Sequence, residues 1–405
     1  MIELVDKHAC CGCSACVQKC PRQCILIVED EEGFLYPVVN KEDCIDCGLC
    51  EKVCPVIHQS EERKPLKTYA AKNKDEDIRM LSSSGGFFTL LAEEVIKEGG
   101  VVFGAKFDDS WEVKHDYTET IGGLHVFRSS KYVQSRIEDN YKKAESFLKS
   151  GRRVLFSGTP CQIAGLKRFL RKEYDNLLTV DFVCHGVPSP GVWRRYLTET
   201  VAHLCDKNSV PSDPISKGNT HIESVSFRNK CSGWKKYSFA LTLSATTRSG
   251  AKNTVSLVDV FSKNTFMKGF LANLYLRPSC YTCPAKCGKS GSDITIGDLW
   301  GAPSIIGQDD DDRGTSLVLI NREVPLFRES ASLWIRDIEY RLAFANNYCI
   351  ERSVKEPKKR KQFYLLYTKR KYSLETIISR LTKVSFYDKC ITLIKRILKR
   401  IIKRR

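Results

Sequence analysis

No stretch of the chain reaches the roughly 18 consecutive apolar residues that a spanning helix needs, so none is expected. The opening residues, MIELVDKHACC, hold neither a basic n-region nor an apolar h-region, and no secretory signal is expected there. No G-x-G-x-x-G follows a strand pattern, which removes a nicotinamide-type dinucleotide site from consideration. Gly288-Lys289-Ser290 looks like the close of a P-loop, but Cys283 stands where the first glycine belongs, and an ATPase is excluded. Compositional extremes are missing too: 42% hydrophobic and 28% charged residues suit a globular chain and argue against general disorder. At 405 residues the chain is long for one compact domain and suggests two or three units.

A basic surface on the body is also lacking. The net charge is +17, yet residues 352–405 alone hold 19 Lys and Arg against 3 Asp and Glu. The rest is nearly neutral, with 46 basic and 45 acidic residues, so no nucleic-acid partner is expected. After Lys389, Ile391, Ile394, Ile397, Leu398, Ile401 and Ile402 fall on one helical stripe. Lys395, Arg396, Lys399, Arg400, Lys403 and Arg404 occupy the other face. This pattern fits a basic helix resting on an anionic membrane surface, or one packed on the body or a partner. The expected location is cytoplasmic, with peripheral attachment at the inner face of the membrane.

Cysteine is what the chain has in quantity. Nineteen thiols, an odd number in a long chain without a signal, read as metal or redox chemistry rather than a disulfide framework. Ten lie within the first 54 residues. Cys10, Cys13, Cys16 and Cys20 follow C-x2-C-x2-C-x3-C before Pro21, and Cys44, Cys47, Cys50 and Cys54 repeat it before Pro55. Three thiolates of one loop hold three corners of a cubane, while the fourth cysteine ligates the other cluster. The spacing therefore predicts two 4Fe–4S clusters with crossed ligands. Cys10, Cys13, Cys16 and Cys54 hold one; Cys44, Cys47, Cys50 and Cys20 hold the other. Zinc sites more often use separated C-x2-C pairs. Cys11 and Cys24 fall outside the spacing and read as small core residues. Cys24–Glu29 and Phe34–Val39 read as a hairpin packed over the clusters.

Beyond a polar linker at His58–Pro65, strands and helices alternate. Strands are expected at Thr68–Lys72, Val101–Phe107, Val154–Ser157, Leu177–Cys184, Asp293–Ile296 and Ser316–Ile320. Helices are expected at Gly85–Lys97, Ile137–Lys149, Cys161–Lys172 and Val192–His203. Glu223–Phe227 and Tyr237–Leu243 read as antiparallel strands, and Asp309–Asp312 as a solvated acidic loop. The expected fold is a mixed α+β and α/β chain. Residues 1–60 form a small bacterial-type ferredoxin domain with two clusters, 66–350 a larger α/β body, and 351–405 a helical basic tail.

A second cysteine set lies in the body. Cys161 opens a helix after a strand, Cys184 ends the next strand, and Cys280-x2-Cys283 lies in a loop with Cys287 four residues on. Parallel strands deliver their C-terminal ends to a common edge. The set closes a third four-cysteine site on one reading; on the other it is two buried thiols and a lone pair. Ser82-Ser83-Ser84-Gly85-Gly86, before a helix, reads either as an anion cradle or as a serine N-cap.

Together these runs resemble the family of coenzyme F-420 hydrogenase/dehydrogenase beta subunits, in the form with a fused two-cluster ferredoxin domain. The matching residues are Ser83-Ser84-Gly85-Gly86, Ser130-Lys131-Tyr132-Val133-Gln134-Ser135, Gly158-Thr159-Pro160-Cys161-Gln162 and Cys184-His185-Gly186-Val187-Pro188-Ser189-Pro190. Phe227-Arg228, Cys280-x2-Cys283 and Asp293-Ile294-Thr295-Ile296-Gly297-Asp298-Leu299-Trp300-Gly301 complete them, covering about residues 1–320. The resemblance implies an iron–sulfur flavoprotein oxidoreductase passing electrons between clusters and, through FAD, an organic substrate. The alternative is an electron-relay subunit that serves a separate catalytic partner. It implies a third 4Fe–4S cluster on Cys161, Cys184, Cys280 and Cys283, with Cys287 as substitute ligand. FAD is expected near Ser83, Ser84, Gly85, Gly86 and Thr159. Lys131 is placed to stabilise a reduced flavin or to form a surface ion pair, and His185 to donate a proton or to orient Cys184. A redox partner, such as a ferredoxin or a hydrogenase/dehydrogenase subunit, is implied as well.

Overall fold

The computed structural model describes residue 2 and residues 6–207, 220–246, 252–324 and 331–383. Its strands are β1 (Ile25–Glu29), β2 (Leu35–Val39), β3 (Lys67–Asn73), β4 (Val101–Phe107), β5 (Val113–Thr118), β6 (Val154–Gly158) and β7 (Leu177–Phe182). They continue with β8 (Thr220–Asn229), β9 (Ser238–Thr246), β10 (Lys252–Val260), β11 (Ile294–Asp298), β12 (Ser316–Ile320) and β13 (Leu333–Asp337).

Eight strands form the central sheet in the order β13-β3-β12-β11-β7-β6-β4-β5. β4, β6, β7 and β11 run parallel at its centre, while β5, β12, β3 and β13 add antiparallel flanks. The central strands read as continuous apolar runs because helices cover them. Val101, Val102, Phe103, Val154, Leu155 and Phe156 are all fully buried. The parallel arrangement puts Gly158, Phe182 and Asp298 at one edge of the sheet, and Cys161 and Cys184 follow directly beyond it.

The N-terminal segment is built around the β1–β2 hairpin, in register from Ile25↔Val39 to Glu29↔Leu35. Its turn is held by Asp30 Oδ1, which accepts from the backbone N–H of Glu32 (3.2 Å) and Phe34 (2.9 Å). Alternation splits the hairpin into two faces, one carrying Ile25, Ile27, Leu35, Pro37 and Val39. The opposite face carries Leu26 and Val38, which stay 61% and 49% exposed, and Tyr36, which is buried against the body.

Three features depart from the expected elements. The pair at 223–243 is a three-stranded antiparallel sheet, β10-β9-β8, and the edge strands β5 and β13 were not anticipated. The acidic run is not simply solvated: Asp311 takes a two-pronged hydrogen bond from Arg79 (2.7 and 2.5 Å), and Asp310 pairs with Lys235 (2.6 Å). The segment assigned to the tail begins inside the core. Helices Arg360–Thr368 and Leu374–Thr382 bury Phe363, Leu374, Ile377 and Ile378 against Trp193, Phe266 and Tyr275. The expected basic helix after Lys389 lies outside the described residues.

Candidate functional site

Residues of the two cysteine loops line two cavities beneath the hairpin. One is lined by Cys10, Cys13, Cys16 and Cys54 together with Cys11, Ile27, Leu35 and Pro37. The other is lined by Cys20, Cys44, Cys47 and Cys50 with Cys24, Ile25 and Val39. A single hairpin face thus roofs both. The loops owe their curvature to left-handed residues: Gly12 (φ 72°) and Ser14 (φ 60°) in the first, Asp46 (φ 49°) and Gly48 (φ 67°) in the second. Burial pushes the Cys16 thiol up to about 12. Cys47 is exposed, so the second cavity is the outer one. Cys24 lies with its sulfur 3.5 Å from that of Cys20.

The body cysteines come together at the sheet edge. Cys161 sits in the first turn of the helix Pro160–Leu170, where Thr159 and Gln162 form a reciprocal capping box with Pro160 inside it. Cys184 feels the charges of Cys280, Cys161 and Cys283, in addition to the burial that raises its thiol well above the usual value. Cys280 is pushed up to about 12, by burial first and by Cys283 next, and its sulfur accepts from Val187 N–H at 3.4 Å. Cys287 is set apart, donating to the Glu351 carbonyl at 3.1 Å. Among the described residues no three His, Cys, Asp or Glu side chains converge on one metal ion. The cavities and sulfurs suit a cluster, which spreads its thiolates over separate iron corners.

The first cavity and the body set are joined by contacts that sequence reading missed. The Cys11 thiol interacts with both Cys13 and Cys161, placing it between the first cavity and the body set. Gly165, one turn beyond Cys161, lies where a Cβ would stand 2.9 Å from Cys13 Sγ. Arg277 is fully buried and donates to the Cys10 carbonyl (2.7 Å), the Leu35 carbonyl (2.9 Å) and Gln134 Oε1 (3.0 Å). Its electrostatic neighbours are Cys10, Tyr36, Cys11 and Cys280. On the other side of the body set, Lys286 Nζ donates to the carbonyls of Cys184 and Cys349, each at 2.6 Å. No sequence signal marked these cations; only the fold brings Arg277 to Cys10 and Lys286 to Cys184.

The residues expected around a flavin are engaged within the protein. Ser83 Oγ pairs with Ser130 Oγ at 2.8 Å, Ser84 Oγ donates to the Thr315 carbonyl, and Gly85 N–H donates to Ser316 Oγ. Gly86 (φ 80°) caps the helix Phe87–Lys97. Thr159 Oγ1 is taken up by the capping box and lies 3.2 Å from Cys161 Sγ. The three hydroxyls and the Gly85 N–H thus have partners within the protein. Lys131 is partly buried, and desolvation lowers its ammonium to about 7. Its Nζ donates to the carbonyls of Arg128 (3.0 Å) and Ser129 (3.3 Å) rather than pairing with a carboxylate. His185 Nε2 lies 2.7 Å from Asn273 Oδ1, and Nδ1 lies 3.9 Å from Cys349 Sγ, so neither bond is to Cys184. Burial holds the His185 imidazole below its usual value, which favours the neutral ring.

Comparison with known proteins agrees with the two cysteine regions. Residues 151–325 match the family described as the C terminus of the coenzyme F420 hydrogenase/dehydrogenase beta subunit, and residues 9–57 match a 4Fe–4S dicluster domain. A 7Fe ferredoxin of Hydrogenibacillus schlegelii is 38% identical over 65 residues, covering 15% of this chain and 77% of that protein. The F subunit of the F420H2 dehydrogenase of Methanosarcina mazei is 23% identical over 201 residues, covering 45% of this chain and 55% of that protein. A chain of the F420-reducing NiFe hydrogenase complex from Methanosarcina barkeri aligns with TM-score 0.44 and 18% identity, covering 71% of this chain and 90% of that one. The chain spans little more than half the length (55–56%) of the curated relatives it matches over the body. The N-terminal segment is a 4Fe–4S dicluster domain fused to a mixed α/β body.

Proposed function

The chain belongs to the family of coenzyme F420 hydrogenase/dehydrogenase beta subunits, and from that premise we propose that it is an iron–sulfur oxidoreductase subunit linking a redox partner protein to an organic substrate. The observation that carries the reading is the line of sulfurs from exposed Cys47 to Cys184 in the body. Along it, Cys20, Cys44, Cys47 and Cys50 hold the outer cluster, and Cys10, Cys13, Cys16 and Cys54 the middle one. Cys161, Cys184, Cys280 and Cys283 hold a third in the body.

When bound, 4Fe–4S clusters supply one-electron transfer, and a flavin converts it to two-electron chemistry. The protein's own part is to hold and shield. Ile25, Ile27, Leu35, Pro37 and Val39 keep water from both outer cavities, and Cys11 closes the gap between the middle and body sets. Cys47 leaves the outer end open to a partner such as a ferredoxin or a hydrogenase/dehydrogenase subunit.

FAD enters this proposal from the family alone; the hydroxyls of Ser83, Ser84 and Thr159 and the Gly85 N–H have partners within the protein. No step is derived through it. The same observation favours a second reading, an electron-relay subunit with no substrate of its own. Neutral His185, held by Asn273 next to Cys184 in the chain, fits a positioning residue better than a ready acid.

Anaerobic purification with iron, sulfide and flavin measured per chain tests the scheme. About twelve irons are expected with three clusters, along with one FAD. About eight irons and no flavin would leave only the dicluster domain and remove the body site. No described helix is long and apolar enough to cross a membrane. The basic stripe after Lys389 supports peripheral attachment as part of the proposal. Full-length protein is expected to pellet with anionic vesicles at low salt, and a chain truncated after Asp388 to stay in the supernatant; equal behaviour of the two would remove the tail from the scheme.

A further inference from the structure

Arg277 and Lys286 are both buried, at 0% and 8% exposure, and both serve only uncharged partners. Arg277 reaches two carbonyls and the Gln134 amide; Lys286 reaches two carbonyls. Among the described residues neither has a carboxylate within ion-pair distance, whereas buried Arg228 pairs with Asp298 (3.0 Å) and buried Arg79 with Asp311 (2.5 Å). A buried cation without a counter-charge is costly unless an anionic group stands beside it. Their titratable neighbours are mostly thiols: Cys10, Cys11 and Cys280, with the Tyr36 ring, for Arg277, and Cys184, Cys283 and Cys349 for Lys286. The outer set is surrounded differently. It lies nearer the surface, with Cys47 exposed, so water screens its charge.

We propose that Arg277 and Lys286 make the body cysteine set the electron sink of the chain, so that electrons entering at the exposed outer set run inward. The proposal rests on the third cluster of the preceding section. A cluster held by four thiolates carries net negative charge and gains another on reduction, and its potential follows local charge, hydrogen bonds to sulfur and solvent exposure. Backbone N–H donors to sulfur reach every set, Arg22 and Gln23 at Cys20, Ala15 at Cys13, Val187 at Cys280 and Ala285 at Cys283, so what distinguishes the body set is its buried cations. Burial alone disfavours the more negative reduced form at the body set. The same low-dielectric surroundings strengthen the attraction of each unpaired cation, and here two act together without a carboxylate to cancel them. Each step moves one electron from a reduced outer set to an oxidised inner one, with no bond made or broken. A low-potential one-electron reductant supplies it.

Redox-poised EPR titration of the anaerobically prepared holoprotein, with dithionite as reductant, tests this. The body signal is identified as the one absent in Cys283→Ala. In the native protein it is expected to appear at the highest potential of the three. Lys286→Met is expected to move it to lower potential while leaving the outer signal in place, and Lys286→Arg to restore it. Arg277→Gln is expected to lower both the middle and the body signals; if that variant fails to fold, the Lys286 pair decides alone. A body signal that appears last in the native protein, or one unmoved in Lys286→Met at full iron content, overturns the proposal and leaves the third cluster standing. Iron content unchanged in Cys283→Ala removes the third cluster itself, and the proposal with it.

Discussion

At the scale of single residues, sulfur position and buried charge decide behaviour. Cys54 lines the cavity of Cys10, Cys13 and Cys16 although it is forty-four residues from Cys10 and belongs to the other loop by sequence. Cys54→Ala is therefore expected to abolish the EPR signal of the Cys10 set and spare that of the Cys44 set; loss of the Cys44 set instead would show uncrossed ligation. His115 makes a second prediction. It is fully buried between Ser135 Oγ and the Ser157 carbonyl, 3.0 Å from each, and desolvation lowers its imidazole to about 4. An unfolded histidine binds its proton near pH 6.5, so between those values the unfolded chain holds more protons than the folded one. Stability is then expected to fall as pH drops from about 6.5 towards 4, by up to roughly 3 kcal/mol from this residue. Urea unfolding from pH 7 to 4.5 measures it, and His115→Gln should show a shallower pH slope.

Among the elements, the helix Pro160–Leu170 joins the two halves. Its capping box presents Cys161 at the N-terminal turn, and one turn later Gly165 admits the Cys13 loop. A Cβ at 165 would stand 2.8 Å from Cys13 Cβ and 3.0 Å from the Tyr141 hydroxyl, so one side must give way. Gly165→Ala is expected to push the dicluster loop off the body, lowering the melting temperature and the iron retained by the Cys10 set. Thr159→Ala removes the cap and the hydroxyl beside Cys161 Sγ, and should cost about 1 kcal/mol while the iron of the Cys10 set stays unchanged. Comparing the two by iron assay separates loss of docking from loss of helix stability.

For the whole molecule, the two halves differ in what holds them together. The body rests on a large aromatic core, with Trp193, Phe227, Phe239, Phe266 and Tyr275 all buried. Beneath the hairpin, the packed cluster is Cys16, Cys24, Ile25 and Cys50, and three of its four members are thiols. So small an apolar core gains much of its stability from metal binding. Iron chelation is expected to release amide protection across residues 9–57 while strands β4, β6 and β7 remain protected. Hydrogen exchange measures this, and uniform loss across both regions would show one cooperative unit. The hairpin residues Phe34 and Tyr36, which pack into the body core, should keep the most protection within the segment.

Much of the outer site was legible in the sequence because three cysteines within seven residues can reach one cubane with little help from the rest of the fold. The parallel strands were legible for a similar reason: runs such as Val101–Phe103 and Val154–Phe156 are apolar on both faces because helices bury both. Edge strands β5 and β13 carry mixed residues and stood out less, since an exposed edge imposes no such pattern. The convergence of Cys161, Cys184, Cys280 and Cys283 depended on strand order, which spacing along the chain does not encode. The same holds for Arg277 beside Cys10, 267 residues away, and for Lys286 beside Cys184. Local spacing determines a cluster loop because its ligands share one turn of backbone. A buried cation is assigned its partner only when distant segments pack and water is excluded, and tertiary structure alone decides that.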